Sequence, residues 1–144
     1  MTSVREELLA GDWRLLSPAE RWKWWTHLWS DVILLSERYR LELRTGWWAE
    51  PELVERLEAF GRWVWLHDSW RLNNAPHSAP PGKLALLDYL RVLRSDLAGG
   101  DGPFHPDRDW RAYARHAIGL GAEPPGGTAL EIPPPRLRRS GEPA

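Results

Sequence analysis

Hydrophobic residues recur every three to four positions along most of this sequence, which is the spacing of amphipathic α-helices. Two helix starts are marked by capping boxes, Ser3-Val-Arg-Glu6 and Ser17-Pro-Ala-Glu20, in which the serine accepts a backbone N–H and the glutamate reaches back. They predict a short helix over about residues 3–9 and a long one over about 18–41. Apolar residues fill roughly half the circumference of the long helix, and Leu34 is an apolar outlier on its polar side. An apolar arc this wide requires two neighbouring helices or a binding partner.

Three more helices follow from the same periodicity, over about residues 51–72, 83–97 and 105–118. Gly61, inside the first of these, costs about 1 kcal/mol relative to alanine, which indicates the close approach of another helix. No segment has the alternation of a β-strand. The sequence therefore predicts an all-α fold, a compact bundle of four to five helices. The apolar positions predicted to face inward on these three helices are Leu53, Leu57, Phe60, Val64, Leu86, Leu90, Leu93, Leu97, Trp110, Tyr113, Ala114 and Ala117.

The composition divides the chain into one folded domain and two flanking segments. A length of 144 residues supports one hydrophobic core. Residues 121–144 contain six prolines and four glycines and little to bury, which is typical of a disordered tail. The predicted organisation is a short N-terminal helix and linker over 1–16, a tryptophan-rich helical domain over 17–120 and a disordered tail over 121–144.

Charge and cysteine content narrow the classes of partner. Acidic and basic residues nearly cancel, at 20 against 19, so no global field attracts nucleic acid or an anionic membrane. The absence of cysteine excludes disulfides, thiolate metal sites and thiol nucleophiles. The N-terminus lacks the apolar core of a signal peptide, and no apolar run is long enough to span a membrane. We expect a cytoplasmic protein with no membrane partner and no cofactor.

Eleven tryptophans are more than one small core needs, since each ring can bury about 150–250 Å². Trp22, Trp25, Trp29, Trp63 and Trp110 fall on the inward stripes and are assigned to the core. The other reading places some of the remaining rings on a surface that binds a protein partner or a second copy of the chain. The residues predicted for that surface are Trp24, Leu34, Trp47, Trp48 and Trp65. The alternative, that all of the tryptophans belong to the core, remains open.

Two other kinds of site compete with this binding surface, a nucleic-acid contact and a metal centre. Arg108, Arg111 and Arg115 share a helix face and form a candidate nucleic-acid contact, but Asp107 and Asp109 beside them are better explained as acids at a helix N-terminus. The second alternative is a metal-dependent phosphohydrolase. It combines the pair His67-Asp68 with two further ligands, His27 and either Asp88 or Asp96. Because His27 and His67 are predicted on opposite kinds of helix face, we expect no metal site and no catalytic residues.

One stretch resembles a known family. The sequence Trp47-Trp-Ala-Glu-Pro-Glu-Leu-Val-Glu-Arg-Leu-Glu-Ala-Phe-Gly-Arg-Trp63 is similar to the uncharacterised family called domain of unknown function 4913, whose pattern is tryptophan, a short gap, proline and a Val-x-x-Leu-x-Ala helix. The preceding Leu-Leu-Ser-Glu-Arg-Tyr39-Arg-Leu also resembles that family, so the likeness covers roughly residues 20–72. Glu50 stands where the family often has a histidine. The resemblance implies a gene carried by conjugative plasmids, integrated elements or phages of high-GC Gram-positive bacteria. It implies no activity and no catalytic residue.

The sequence therefore favours a non-catalytic protein-interaction module that serves a mobile genetic element. A DNA-binding accessory protein with an Arg/Trp surface is the alternative, and a metal-dependent phosphohydrolase is a remote one.

Overall fold

Four α-helices form most of the part of the chain that the computed structural model describes, residues 12–73, 82–97 and 102–126. The predicted helix over 3–9 and most of the predicted tail, 127–144, lie outside these residues. Apart from one bridge between Arg44 and Pro103, the described residues contain no β-strand, so the all-α prediction is confirmed. The helices are α1 Pro18–Tyr39, α2 Pro51–Asn73, α3 Lys83–Leu97 and α4 Pro106–Gly119, with 3₁₀ turns at Trp13–Leu15 and Trp47–Ala49.

Helix α1 begins where its capping box predicts. Ser17 is the N-cap, and its Oγ accepts a hydrogen bond from the backbone N–H of Glu20 at 3.3 Å. Pro18 occupies the first turn, where its missing N–H costs nothing. The helix ends at Arg40, which adopts the left-handed conformation with φ 52°. The cap N–H of Arg40 bonds back to Ser36, so α1 stops two residues short of the predicted end.

Helix α1 has α4 on one side and α2 on the other. Contacts of Trp29 with Trp110 and of Arg21 with Leu120 show that α4 runs antiparallel to α1. The α2 side is different, because Asp31 lies beside Gly61 and Arg38 pairs with Asp68, so α1 and α2 run parallel. These two neighbours cover the wide apolar arc of α1.

Residues 40–50 carry the chain back along the bundle, which is what allows two consecutive helices to run parallel. Leu41 and Leu43 of this return segment are buried. The backbone N–H of Phe104 donates to the carbonyl of Leu43 at 2.9 Å, and the N–H of Arg44 donates to that of Leu97 at 3.2 Å. The segment is therefore held against the ends of α3 and α4.

Helix α3 packs antiparallel on the far side of α2. The ring of Tyr89 lies 5.9 Å from Phe60 and 6.2 Å from Trp63, and Asp96 pairs with Arg56 nearer the start of α2. The helices thus follow one another in space in the order α4, α1, α2, α3, with the first and last at the edges.

The inward aliphatic, Phe60, Trp110 and Tyr113 positions predicted on the three later helices are buried, whereas Trp63, which was also predicted for the core, is only half-buried. Gly61 is buried too, and a Cβ atom built on it would lie 3.4 Å from Leu35 Cδ1 and 3.8 Å from Asp31 Cβ. Helix α1 therefore lies over Gly61, but the contact is with its side chains at ordinary van der Waals distance and not with its backbone as predicted.

Candidate interaction surface

Trp47 and Trp48 correct the sequence prediction, because both rings are core residues and not parts of a surface. Trp47 is fully buried and Trp48 is 7% exposed. Both rings pack on Phe104 and Tyr113, at 5.5–6.2 Å between centroids. Adjacent side chains usually point apart. Here the 3₁₀ turn lies between α2 and α4, so other residues of the chain bury each ring.

The other tryptophans of the α1–α4 interface are buried as predicted. Trp22, Trp25, Trp29 and Trp110 are each at most 7% exposed. They pack edge-to-face, with the ring of Trp29 5.1 Å from that of Trp110, an arrangement that aromatic quadrupoles favour. These rings explain the core and contribute nothing to a surface.

Trp63 and Trp24 are half-buried. Trp63 closes the outer side of the α2–α3 contact, where it packs on Tyr89. Trp24 packs against Trp13 at 6.0 Å in a tilted arrangement and against Trp25 at 5.1 Å edge to face. The Trp24 ring is therefore partly engaged within the chain.

The seam between α1 and α2 is fixed at two points. Gly61 admits Asp31 and Leu35 at van der Waals distance. Two turns further along, the guanidinium of Arg38 donates to both carboxylate oxygens of Asp68, at 2.6 and 3.1 Å. A bidentate pair of this kind fixes the relative rotation of the two helices as well as their distance.

Trp65 and Leu34 come between those two fixed points along α2 and α1. Trp65 comes one turn after Gly61 on α2, and Leu34 comes one turn after Asp31 on α1. Trp65 is 57% exposed and Leu34 is half-buried. Leu66, the next residue of α2, is 53% exposed. We call Leu34, Trp65 and Leu66 the seam patch.

Charged pairs flank the seam patch. His27 lies 3.3 Å from Asp31 within α1, and Arg62 pairs with Glu58 within α2. Burial raises the pKa of Asp31, His27 lowers it, and the nearby Glu58 carboxylate raises it further, so the net pKa is above its ordinary value. The patch thus has exposed apolar side chains with polar pairs on either side.

Sequence reasoning missed Leu66 and three exposed residues of α3. Leu84 is 79% exposed, Leu87 41% and Val92 54%. All four are apolar residues on the polar arc of their helices. The same outlier test that singled out Leu34 would have found them.

The arginines of the nucleic-acid alternative lie on α4 without exposed rings beside them. Arg108 is committed within the chain, since its guanidinium donates to Asp109 at 3.0 Å and to the carbonyl of Pro103 at 2.7 Å. Arg111 and Arg115 are exposed. In the part of the chain that the structure describes, the tryptophans that contact α4 are buried and so are not open to stacking by a base.

Asp109 caps the start of α4 and ties it to the return segment. Its carboxylate accepts hydrogen bonds from the backbone N–H of His105 at 3.0 Å and from Thr45 Oγ1 at 2.9 Å, besides those of Arg108. Burial raises the pKa of Asp109, but the hydrogen bonds from Arg108, His105 and Thr45 lower it more, and the net pKa is below its ordinary value.

The residues of the metal alternative are not brought together. His67 is buried, as predicted, whereas its neighbour Asp68 is held by Arg38. His27 pairs with Asp31, and Asp96 pairs with Arg56. Over residues 12–73, 82–97 and 102–126, no three histidine or carboxylate side chains form a group that could hold a metal ion.

A cleft of about 290 Å³ opens where α2 begins and α3 ends. Its two arginines already hold its acids, since Arg44 binds Glu50 and Arg56 binds Glu52 and Asp96. Ion pairs within the chain therefore line the cleft, and they join the return segment to both helices. Its lining residues are Arg44, Glu50, Glu52, Leu53, Arg56 and Asp96.

The fold and its surface define an all-α, tryptophan-rich helical bundle. No family model, no curated protein and no solved structure matches the chain. Within the described residues, no helix is both long enough and apolar enough to cross a lipid bilayer.

Proposed function

We propose that this chain is a non-catalytic accessory module that binds another protein through the seam patch, Leu34, Trp65 and Leu66. The observation that carries the proposal is the exposure of Trp65, at 57%, in a domain that buries Trp22, Trp25, Trp29, Trp47, Trp48 and Trp110. A ring left open in a protein that has enclosed so many others is selected for something besides folding.

The physical chemistry of tryptophan supports this use. Its ring offers a large apolar area with two rotatable side-chain bonds and one N–H donor, so ordering it on binding costs little entropy. Tryptophans of this kind are frequent hot spots, and truncating one costs about 2 kcal/mol or more of binding free energy. Leu66, the next residue of α2, and Leu34 of α1 add apolar area at this level of the two helices.

The partner that fits is a protein segment with an apolar face and a polar rim. The flanking pairs Arg38–Asp68 and Arg62–Glu58 offer both signs of charge on the two sides of the patch. Such a rim selects partners by orientation more than by net charge. The resemblance of residues 47–63 to domain of unknown function 4913 supports a role in a conjugative plasmid, integrated element or phage.

Light scattering of the pure chain mixed with purified products of neighbouring genes tests the proposal. We expect one of them to form a complex, and the double variant Trp65→Ser/Leu66→Ser to weaken that complex about tenfold or more. The matched control is Ile118→Ser, which removes an exposed apolar side chain from α4 and should leave binding unchanged.

Two results would overturn the proposal. One is a failure of every neighbouring gene product to bind the folded chain. The other is a complex that tolerates the double variant as well as it tolerates Ile118→Ser.

A further inference from the structure

Helix α3 presents a second apolar face to solvent, on the side away from α2. Six consecutive positions of the pattern i, i+3, i+4, i+7, i+8 and i+11 lie on this side, and all six side chains are exposed. We call it the outer stripe. Its residues are Leu84, Leu87, Asp88, Arg91, Val92 and Ser95.

The outer stripe is more apolar than the solvent-facing side of an edge helix usually is. Leu86, Leu90, Leu93 and Leu97 already form the buried face of α3. A surface helix ordinarily carries polar residues opposite such a face. Here Leu84 and Val92 are 79% and 54% exposed. Helix α3 therefore carries apolar residues on two opposite faces, and α2 covers one of these faces.

The order of side chains along the outer stripe is self-complementary. Two copies of α3 can be placed antiparallel with their two-fold axis between Tyr89 and Leu90. Asp88 of one copy then faces Arg91 of the other, Leu84 faces Ser95, and Leu87 and Val92 come to the same level on opposite flanks of the contact. A two-fold axis repeats each contact, so the interface contains two ion pairs and two Leu84–Ser95 contacts, with Leu87 and Val92 of both copies on its flanks. In the parallel orientation like charges would face each other instead.

Within one chain the two charges of the stripe hardly interact. The Arg91 guanidinium lies 3.9 Å from the Asp88 carboxylate, and the two side chains are 82% and 76% exposed. An exposed pair at that separation contributes little. Both groups are therefore free to pair across a two-fold axis, where the apolar residues on either side would shield them from water.

We propose that two copies of this chain associate through the outer stripe of α3, as antiparallel helices with reciprocal Asp88–Arg91 pairs. The dimer extends the row of helices α4, α1, α2, α3 across its edge into a second row. One helix from each copy makes a small interface, so the dimer dissociates on dilution.

Sedimentation of the full chain over a wide concentration range, with two charge variants, tests this dimer. D88R places positive charge against Arg91 of the second copy, and R91D places negative charge against Asp88. We expect each variant alone to dimerise at least about tenfold more weakly than the native chain, because both cross-pairs become repulsive. Mixing the two variants should restore the dimer, since every cross-pair is again attractive.

Both substitutions are at exposed positions, and circular dichroism checks that each variant keeps the native helix content. A native chain that is monomeric at every concentration overturns the proposal and leaves the stripe to a different protein. Dimerisation that survives both variants, or that the mixture fails to restore, overturns it as well. Trp65→Ser/Leu66→Ser should not alter the dimer, so this result is separate from the test of the seam patch.

Discussion

The hydroxyl of Tyr113 donates a hydrogen bond to the backbone carbonyl of Trp25, and both side chains are buried between α4 and α1. Burial raises the pKa of Tyr113 well above its ordinary value, and the nearby Asp31 carboxylate raises it further. The phenol therefore stays protonated and remains a donor. Its ring meanwhile contacts Trp25, Trp29, Trp47, Trp48 and Trp110.

Removing only this hydroxyl should have a measurable and limited effect. Tyr113→Phe keeps the ring contacts and leaves the Trp25 carbonyl its helical partner, so we expect a loss of about 1 kcal/mol in the free energy of unfolding. Tyr113→Ala also removes the ring and should cost about 3–5 kcal/mol. Urea denaturation of both variants gives the comparison. Equal losses would mean that the ring contacts contribute nothing beyond the hydrogen bond.

Asp109 should make the protein sensitive to acid. Its pKa is lowered in the folded state, so its stabilising contribution is complete above the ordinary value of 3.8 and is lost as pH falls through the lower folded-state pKa. At neutral pH, Asp109→Asn should cost about 1–3 kcal/mol because it weakens the bonds to Thr45, His105 and Arg108.

Urea midpoints measured at neutral and at acidic pH check this prediction. The difference between the native chain and Asp109→Asn should shrink in acid. Asp107→Asn is the control, because Asp107 is exposed at the same helix start. A loss from Asp107→Asn as large as that from Asp109→Asn would assign the effect to the helix dipole alone.

Gly61 offers a test of the packing between α1 and α2. A Cβ at this position meets Leu35 Cδ1 at 3.4 Å, which is an ordinary contact, and alanine is the better helix former by about 1 kcal/mol. We expect Gly61→Ala to raise the free energy of unfolding by up to about 1 kcal/mol. Gly61→Leu should lower it by about 1–3 kcal/mol, since the added carbons overpack the seam. Thermal unfolding of the two variants decides, and a loss from alanine would show that the helices tolerate no Cβ there.

Truncation of Trp47 should destabilise the fold strongly, whereas truncation of Trp65 should hardly change its stability. Trp47→Ala empties a fully buried site and is expected to cost about 3–5 kcal/mol of stability. Trp65→Ala changes a side chain that is 57% exposed and should stay within about 0.5 kcal/mol of the native value. Denaturant midpoints for both variants measure the contrast. A large loss from Trp65→Ala would mean that its ring supports the fold and is not held open for binding.

The helices were predictable because their signals are local. The bounds of α3 and the buried stripe of Leu86, Leu90, Leu93 and Leu97 follow from spacing alone, as does the start of α1 at Ser17. Trp47 and Trp48 were not predictable in this way. Their burial depends on Phe104 and Tyr113, which are more than fifty residues further along the chain.

The candidate surface also has one part that could be predicted from the sequence and one part that could not. Helical periodicity marks Leu34 as an apolar residue on the polar side of α1. The same periodicity marks Leu66 on α2. That Leu34 and Trp65 share one seam could not be found, because it requires α1 and α2 to run parallel. That orientation depends on the course of residues 40–50, whose hydrogen bonds reach Leu97 and Phe104.

The amino-acid sequence by itself determined four of the helices and their buried stripes, since capping and periodicity act over a few residues. Only the tertiary structure decided that the core encloses Trp47 and Trp48 and that Trp65 is exposed. The reason is that a side chain's exposure is set by whatever segment covers it. For Trp47 and Trp48 that segment comes from a distant part of the chain.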